Sequence, residues 1–463
     1  MKGFLISGTA SGVGKTTVTL AIMAALRRRG YIVQPFKGGP DFLDTGHHTR
    51  IAGRIARNLD TWMLSADANR DVIRCASHGA DVLLVEGMMG LFDGKGGASE
   101  SGSSAEIAKL LKLPVVLVLD AGKTARSIAA VVLGFERFDP DLPLAGVILN
   151  RVAGDRHFRM LETSIKSACG TPVIGWLPRD PAIAIPERHL GLQTAEEGET
   201  GEGLERLIDT LSDLANDHLD IPALMNLECG LDIQPRIDPV LCETQDEIRI
   251  GIARDQAFSF YYEDNLDLLQ QHGATLVPFS PTHDKSLPPD LDALYLAGGY
   301  PELHAVQISE NTAMLSAVRR FLASGRPVYA ECGGMIFLSQ QLTTPDGTTY
   351  PMAGVLPFEI EMTGKLVDFG YVQVELINDC LLGKAGTMLR GHSFHYSRIS
   401  NEGQVATNYH LEYSISGRHQ HEGYRLGSLL ASYVHLHFRT DPSIARSFVA
   451  AAAASRSSNL VPQ

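Results

Sequence analysis

The segment GTASGVGKTT, from Gly8 to Thr17, has the composition of a loop that binds the phosphates of a nucleoside triphosphate. It follows an apolar strand-like run and precedes a helix-like run, which is the context that such a loop requires. Gly12 and Gly14 let the backbone curl around phosphate oxygens, Lys15 can reach the outer phosphates, and Thr16 offers a hydroxyl to Mg²⁺. We therefore predict that ATP contacts the loop residues Gly12, Val13, Gly14, Lys15, Thr16 and Thr17.

A second reactive segment is YAECGGMIFL, in which Cys332 stands between a strand-like run and a helix-like run. This pattern predicts a nucleophile elbow, a tight turn that exposes a thiol and presents backbone N–H groups to an oxyanion. His435 ends another strand-like run, ASYVHLHF, and is the candidate general base. We expect the oxyanion or glutamine contacts to come from the glycines Gly298, Gly299 and Gly333.

Acidic residues follow two of the predicted strands in the first half, where a metal ion and phosphates would need them. Glu86 directly follows the apolar run of DVLLVEG, and Asp41 lies just past the second candidate strand, in KGGPDFLD. Asn150 ends LAGVILN and is a candidate contact for the nucleobase. Three further residues are candidate substrate contacts: Lys37, Asp44 and Asp93.

These motifs sit on two successive α/β patterns, so the fold class predicted is α/β. An N-terminal doubly wound domain with a mostly parallel sheet covers 1–190, and a second α/β domain covers 247–450. Residues 191–246 are acidic, then Pro-punctuated, and are predicted to connect the domains, while 451–463 form a tail. Six strands are predicted in the first domain: 3–9, 31–37, 81–87, 113–121, 144–152 and 172–178.

The bulk composition restricts the partners. The 463 residues carry a formal net charge of −13, which argues against nucleic acid or an anionic membrane as a partner. No apolar run approaches the roughly 20 residues of a membrane span. The 6 cysteines show no CxxC spacing, so we expect neither a disulfide framework nor a zinc site, and a cytoplasmic location. The sequence leaves the oligomeric state open.

The first half resembles the dethiobiotin synthetase-like branch of phosphate-loop enzymes. The resemblance is carried by the loop, in which the glycine expected six residues before Lys15 is displaced to Gly8, and by the segments VLLVEG and VILNRV. Enzymes of that branch use ATP to phosphorylate a substrate carboxylate. The resemblance implies that Mg²⁺ is held by Thr16, Asp41 and Glu86, and that Asn150 contacts adenine.

The second half resembles the class I glutamine amidotransferases, in their cobyric and cobyrinic acid amidase branch. In that branch Cys332 would attack the carboxamide of glutamine and His435 would transfer the proton. Most class I enzymes have a glutamate two residues after the histidine; here that position is His437, so the residue that orients His435 is left open.

The segments RGHSFHYS (390–397), KGGPDFLD and IPERHLGL (185–192) extend the resemblance over nearly the whole chain, to the family of cobyrinate a,c-diamide synthases. It implies amidation of the a and c acetate groups of cobyrinate through acyl phosphates, with ATP and L-glutamine as co-substrates and Mg²⁺ as cofactor. His392 and His395 are further candidate contacts for this corrinoid.

Several alternatives remain. Hydrogenobyrinate or nickel-sirohydrochlorin could replace cobyrinate as substrate, and the order of the two amidations and the course of the ammonia path are open. Cobyric acid synthase is disfavoured by KGGPDFLD and RGHSFHYS, and CTP synthase by RGHSFHYS and the missing His-x-Glu pair. A non-enzymatic ATPase switch is disfavoured because Ala10 stands where such switches have a second lysine and because the elbow keeps its cysteine.

Overall fold

A computed structural model of the protein describes residues 1–142, 144–179, 187–188, 191–192, 198, 200–232, 247–401 and 403–458. The chain divides into two compact units, Met1–Ile237 and Asp238–Gln463. None of the helices in this described part combines the length and the apolar composition needed to cross a membrane.

The first unit alternates strands and helices. Its strands are β1 (Lys2–Gly8), β2 (Val33–Gly38), β3 (Arg57–Leu59), β4 (Val82–Glu86), β5 (Val115–Asp120), β6 (Leu144–Val152), β7 (Val173–Pro178), β8 (Glu187–Arg188) and β9 (Gly191–Leu192). Its helices are α1 (Lys15–Arg28), α2 (Leu43–Ala52), α3 (Ala66–Ala76), α4 (Ser104–Leu111), α5 (Ser127–Phe138), α6 (Asp155–Lys166), α7 (Glu202–His218) and α8 (Ile221–Met225).

The main sheet of this unit is parallel, with the strand order β3-β2-β4-β1-β5-β6-β7 among the described residues. Successive residues of β1, such as Phe4 and Leu5, are buried on opposite faces, as expected for a sheet covered by helices on both sides. The strand order reverses direction at β1, so the loop after β1 lies at the switch point where doubly wound folds bind ligands.

The second unit continues the numbering. Its strands are β10 (Ile248–Ala253), β11 (Ala274–Phe279), β12 (Ala293–Leu296), β13 (Val328–Glu331), β14 (Gln341–Thr343), β15 (Thr349–Pro351), β16 (Glu359–Met362), β17 (Asp368–Leu376), β18 (Met388–His395), β19 (Ser397–Ser400), β20 (Ala406–Tyr413), β21 (His419–Leu426), β22 (Leu429–Ser432) and β23 (His435–Leu436). Its helices are α9 (Glu263–Gln271), α10 (Ala305–Glu310), α11 (Thr312–Ala323), α12 (Gly333–Leu338) and α13 (Ser443–Ser458).

In the part of this unit that is described, the large sheet has the order β11-β10-β12-β13-β22-β21-β20-β17-β18-β23. The strands from β11 to β22 are parallel, and the later ones pair antiparallel. A smaller sheet has the order β15-β14-β16-β19. The elbow joins β13 to α12, and β23 pairs with β18, so distant segments of the chain meet near Cys332.

The structure differs from the predicted organisation at two places. Helices α7 and α8 fall within the predicted connection 191–246, yet Ile208, Leu211 and Leu224 pack in the core of the first unit together with α1. Helix α13 extends beyond residue 450, and Ala452 is buried in the core of the second unit. The acidic composition of α7 and the alanine-rich composition of α13 gave little sign that these helices pack in the cores.

Candidate functional site

The loop between β1 and α1 has the backbone expected of a phosphate-binding loop. Gly12 (φ 75°) and Gly14 (φ 94°) adopt the left-handed conformation, and Gly14 is the N-cap of α1. The ammonium of Lys15 donates a hydrogen bond to the carbonyl oxygen of Ala10, at 3.1 Å. Burial and the neighbouring charge of Lys37 lower the pKa of Lys15. The loop is therefore closed on itself, with its lysine at the start of the helix.

Asn150, near the end of β6, hydrogen-bonds this loop. Its amide nitrogen donates to the carbonyl oxygen of Val13 at 2.8 Å, and its amide oxygen accepts from the N–H of Arg151 at 2.9 Å. A Cβ atom at Gly14 would lie 1.9 Å from the same amide nitrogen. The position thus requires glycine both for its φ and for the space that Asn150 occupies.

A buried ionic network lies beside the loop. The ammonium of Lys37 contacts Asp44 at 2.5 Å and Glu86 at 2.9 Å. The hydroxyl of Thr16 donates to Glu86 at 2.9 Å and to Asp44 at 3.3 Å. His48 Nε2 lies 2.7 Å from the second oxygen of Glu86. The structure therefore brings together Thr16 and Glu86, as expected for a metal site, and adds Asp44 as the carboxylate that touches Thr16.

The network shifts the pKa values of its members. Burial alone would raise the pKa of Glu86, but Lys37 and His48 outweigh burial and hold it below its usual range. Burial would lower the pKa of Lys37, yet Asp44 and Glu86 raise it. Burial raises the pKa of Asp44 to about 7, and the nearby charge of Asp41 adds to this shift. The ammonium of Lys37 thus stabilises the negative charge of Glu86 strongly, but it does not offset the effects of burial and of Asp41 on Asp44.

The two remaining acidic candidates of this unit bind backbone amides. One carboxylate oxygen of Asp41 accepts from the N–H groups of Leu43 and Asp44, at 2.9 and 3.0 Å, and so caps the start of α2. Asp93 accepts from the N–H of Gly90 at 2.8 Å. Asp41 therefore influences the network electrostatically, because its charge raises the pKa of Asp44. Direct contact of Asp41 with a metal ion stays a prediction.

In the second unit, Cys332 has the geometry of a nucleophile elbow. Its backbone adopts φ 45° and ψ −103°, a strained conformation for a residue other than glycine. The N–H of Cys332 donates to the carbonyl oxygen of Ser432 at 2.7 Å, which anchors the turn to β22. His435 is buried. Burial would lower the pKa of His435, but Cys332 and Glu331 raise it to about 9.

The predicted oxyanion glycines surround this pair. A Cβ atom at Gly298 would lie 2.4 Å from Cε1 of His435, so glycine leaves room for the imidazole. A Cβ atom at Gly333 would lie 2.9 Å from the backbone nitrogen of Gly299, which shows how closely the two chain segments approach. Such N–H groups can bind an oxyanion; this role of Gly299 and Gly333 stays a prediction.

The segment RGHSFHYS forms β18, and its two histidines have different surroundings. His392 pairs with His435 across β18 and β23, and their rings stack at 4.9 Å between centroids. Burial lowers the pKa of His392 well below its usual value. His395 stacks on Tyr433 at 3.8 Å and donates from Nδ1 to the carbonyl oxygen of Ser397. Both side chains are thus engaged within the second unit, and their contact with a substrate stays a prediction.

Residues 4–192 match the family described as "CobQ/CobB/MinD/ParA nucleotide binding domain", and residues 249–443 match the "CobB/CobQ-like glutamine amidotransferase domain". A protein of Syntrophotalea carbinolica named "Cobyrinate a,c-diamide synthase" is 46% identical over 96% of this chain and 97% of its own length. Proteins of the same name from Dehalococcoides mccartyi and Archaeoglobus fulgidus are 42% and 41% identical, each over 96% of this chain and 97% and 96% of their own lengths.

The chain belongs to the family of cobyrinate a,c-diamide synthases. The family prediction is therefore confirmed, as are the α/β fold class and the pairing of a nucleotide-binding domain with a glutamine amidotransferase domain. The reaction class of a cobyrinate a,c-diamide synthase with these two domains is glutamine-dependent amidation by a ligase. A structure titled "Crystal structure of glutamine amidotransferase" covers 44% of this chain and 98% of its own, with 20% identity and a TM-score of 0.32.

Two buried residues of this cobyrinate a,c-diamide synthase family member were missed by sequence reasoning. His48 lies in α2 and binds Glu86, and Glu331 directly precedes Cys332. The available signal for Glu331 was a charged residue at the end of the otherwise uncharged strand VYAE. Half of the segment IPERHLGL, residues 185, 186, 189 and 190, lies outside the described residues.

Proposed function

We propose that this protein uses ATP and glutamine to convert the a and c acetate carboxylates of cobyrinate into amides, as a step of cobalamin biosynthesis. One observation carries the proposal: a single chain, related over 96% of its length to enzymes of that name, combines the loop of Lys15 with the Cys332–His435 pair. The first can activate an acid and the second can release ammonia.

A carboxylate does not react with ammonia in water, because its negative charge and resonance make its carbon a poor electrophile. Transfer of the γ-phosphoryl group of ATP to the carboxylate gives an acyl phosphate, which has a good leaving group. Lys15 and the N–H groups at the start of α1 bind and orient the phosphates. Ammonia then displaces phosphate, and each amide consumes one ATP and one glutamine.

The residues near the loop fit a divalent cation such as Mg²⁺. Thr16, Asp44 and Glu86 offer the hard oxygen ligands that Mg²⁺ prefers, in the small number typical of sites completed by phosphates and water. Asp41, Asp44 and Glu86 also exceed the charge of Lys37, so added positive charge would be favoured. Mg²⁺ there would neutralise phosphate charge.

The thiol of Cys332 supplies the nitrogen. His435 takes the proton from the Cys332 sulfur, and the sulfur attacks the carboxamide carbon of glutamine. His435 then gives that proton to the departing nitrogen, so ammonia leaves and a glutamyl thioester remains. Water hydrolyses the thioester to glutamate and restores the thiol.

The test is incubation of the purified protein with ATP, Mg²⁺, glutamine and one of three acids: cobyrinate, hydrogenobyrinate or nickel-sirohydrochlorin. Mass spectrometry of the products is expected to show conversion of two carboxylic acids of cobyrinate into amides, with phosphate and ADP released in step. Conversion of another acid with a higher kcat/KM would reassign the substrate, and no amidation of any of the three would refute the proposal.

A further inference from the structure

Glu331 is the residue directly before the nucleophile, at the end of β13. All four residues of that strand are buried, and Glu331 is only 1% exposed. A carboxylate is rarely buried without a specific partner. Its surroundings therefore indicate what it does.

Among the described residues, Glu331 accepts hydrogen bonds from neutral donors. One oxygen accepts from the hydroxyl of Tyr329 at 2.6 Å and from the N–H of Leu436 at 3.0 Å. The other accepts from the hydroxyl of Tyr295 at 3.1 Å and lies 3.8 Å from Nδ1 of His435. Hydrogen bonds to a carboxylate favour its charged form. Because the donors are uncharged, they do not cancel the charge that faces the imidazole.

The same carboxylate also positions the backbone that carries His435. Leu436 is the neighbour of His435 in β23, and its N–H binds Glu331 while its carbonyl oxygen accepts from Asn265 at 2.8 Å. Asn265 in turn accepts from the N–H of Phe438 at 2.7 Å. Glu331 thus contacts both the backbone of β23, at Leu436, and the imidazole of His435. It does so from β13, next to the nucleophile.

We propose that Glu331 is the positioning residue that sets the orientation and tautomer of His435 during glutamine hydrolysis. The inference rests on the proposed function. It assigns to a residue before the cysteine the task that most class I amidotransferases give to a glutamate after the histidine. At 3.8 Å the two groups are at ion-pair distance without a direct hydrogen bond, and such contacts shorten when the reacting complex forms.

The chemical task follows from the proton that moves. When His435 takes the proton of the Cys332 thiol, an imidazolium and a thiolate form in a buried site. The charge of Glu331 at the Nδ1 side stabilises the imidazolium and keeps the proton-accepting nitrogen towards sulfur. Two further histidines act on this imidazole, His392, which is stacked on it, and His395. Burial lowers the pKa of both, so neither supplies an opposing charge near neutral pH.

The decisive variant is Glu331→Gln, which keeps the shape and removes the charge. We expect kcat of glutamine hydrolysis to fall about 100-fold with KM nearly unchanged, because orientation of a catalytic imidazole is lost while glutamine contacts remain. Alkylation of Cys332 by iodoacetamide, followed by peptide mass spectrometry, is expected to shift to higher pH, because the imidazolium partner of the thiolate is less stable. A merely structural role would leave this pH profile in place.

Glu422→Gln is the matched control. Glu422 is a buried carboxylate of the same unit, held by the hydroxyl of Ser432 and the N–H of Tyr433, both at 2.6 Å. It is expected to change stability without shifting the alkylation profile. Should Glu331→Gln fail to fold, Glu331→Asp retains the charge one methylene farther away, and we expect about a tenfold lower kcat.

Ammonia as nitrogen source separates this inference from the proposed function. If the wild-type protein amidates cobyrinate with ammonia while Glu331→Gln hydrolyses glutamine at the wild-type rate with an unshifted profile, the role of Glu331 is overturned and the proposed function stands. If the wild-type protein amidates nothing with either nitrogen source, the proposed function fails by itself.

Discussion

The two units each bury a carboxylate at their centre of chemistry, but they stabilise its charge in opposite ways. Glu86 in the first unit binds the ammonium of Lys37 at 2.9 Å and the imidazole of His48 at 2.7 Å. Glu331 in the second unit binds two phenol hydroxyls and one backbone N–H. A cationic partner cancels the field of a carboxylate, whereas neutral donors preserve it.

This difference fits the two kinds of chemistry. The first site must accept phosphates and a divalent cation. Its carboxylates, Asp44 and Glu86, share the ammonium of Lys37, and a bound cation could take over part of this charge compensation. The pKa of Asp44, raised to about 7, shows that Lys37 does not fully stabilise both acids. The second site must stabilise an imidazolium beside a thiolate, and the carboxylate of Glu331, which together with Cys332 raises the pKa of His435, serves that purpose.

The largest effect is expected for Cys332→Ala, assayed with glutamine and with ammonia as alternative nitrogen sources. Cys332→Ala removes the nucleophile, so we expect glutamine hydrolysis and glutamine-dependent amidation to fall by about 10⁴-fold or more. Amidation with ammonia is expected to persist, since it does not need the thiol of Cys332. Loss of both activities, measured by product mass spectrometry, would contradict the division of labour.

Lys15→Ala tests the first unit in the same assay. Removal of one preorganised positive group from a phosphoryl-transfer site costs about 10²–10³ in kcat. The loss is expected with glutamine and with ammonia alike, because both reactions need the acyl phosphate. Undiminished amidation would refute the role of the loop.

Gly298→Ala disturbs the site of Cys332 and His435 by a steric clash, without changing any charge. The added Cβ would lie 2.4 Å from Cε1 of His435, so the imidazole must move. A displacement of about 1 Å in a catalytic group costs about 100-fold in rate. We expect glutamine hydrolysis to fall by that factor while ammonia-dependent amidation is retained; an unchanged glutaminase rate would show that the ring adapts.

The pH dependence of stability distinguishes the two networks. The folded state raises the pKa of Asp44 from 3.8 to about 7, so between these values the folded state binds its proton more tightly than the unfolded state. Stability from this group is therefore present at low pH and is lost as pH rises towards about 7.

Asp44→Asn removes this dependence. We expect the free energy of unfolding of the variant, relative to wild type, to rise by about 3 kcal/mol between about pH 4.5 and about pH 7.5. Urea unfolding can be followed by tryptophan fluorescence, because both tryptophans, Trp62 and Trp176, lie in the first unit. A pH-independent difference would show that Asp44 is fully ionised in the fold.

The two reactive motifs could be predicted because their residues are neighbours in the sequence. Glycines, a lysine and a cysteine at fixed spacing between a strand and a helix determine a loop locally, and the structure forms both turns. His48 and Glu331 escaped prediction because their roles depend on partners from other elements. Pairing of β18 with β23 likewise places His392 beside His435, which no local pattern indicates. Helix α7 was assigned to a connection because its many acidic residues mask the apolar face that packs in one core with α1.

The smallest effect is expected for Asn150→Ala, which tests whether this side chain supports the phosphate loop, contacts adenine, or does both. Its amide nitrogen binds the carbonyl oxygen of Val13, so Asn150→Ala is expected to loosen the phosphate loop and raise KM for ATP about tenfold, the cost of one buried hydrogen bond. If Asn150 acts only as this brace, KM for GTP rises by the same factor, because both nucleotides bind the loop through identical phosphates. If Asn150 also contacts adenine, as the resemblance implies, the preference for ATP over GTP falls in the variant. Comparison of the two KM ratios therefore decides between support of the loop and recognition of the base.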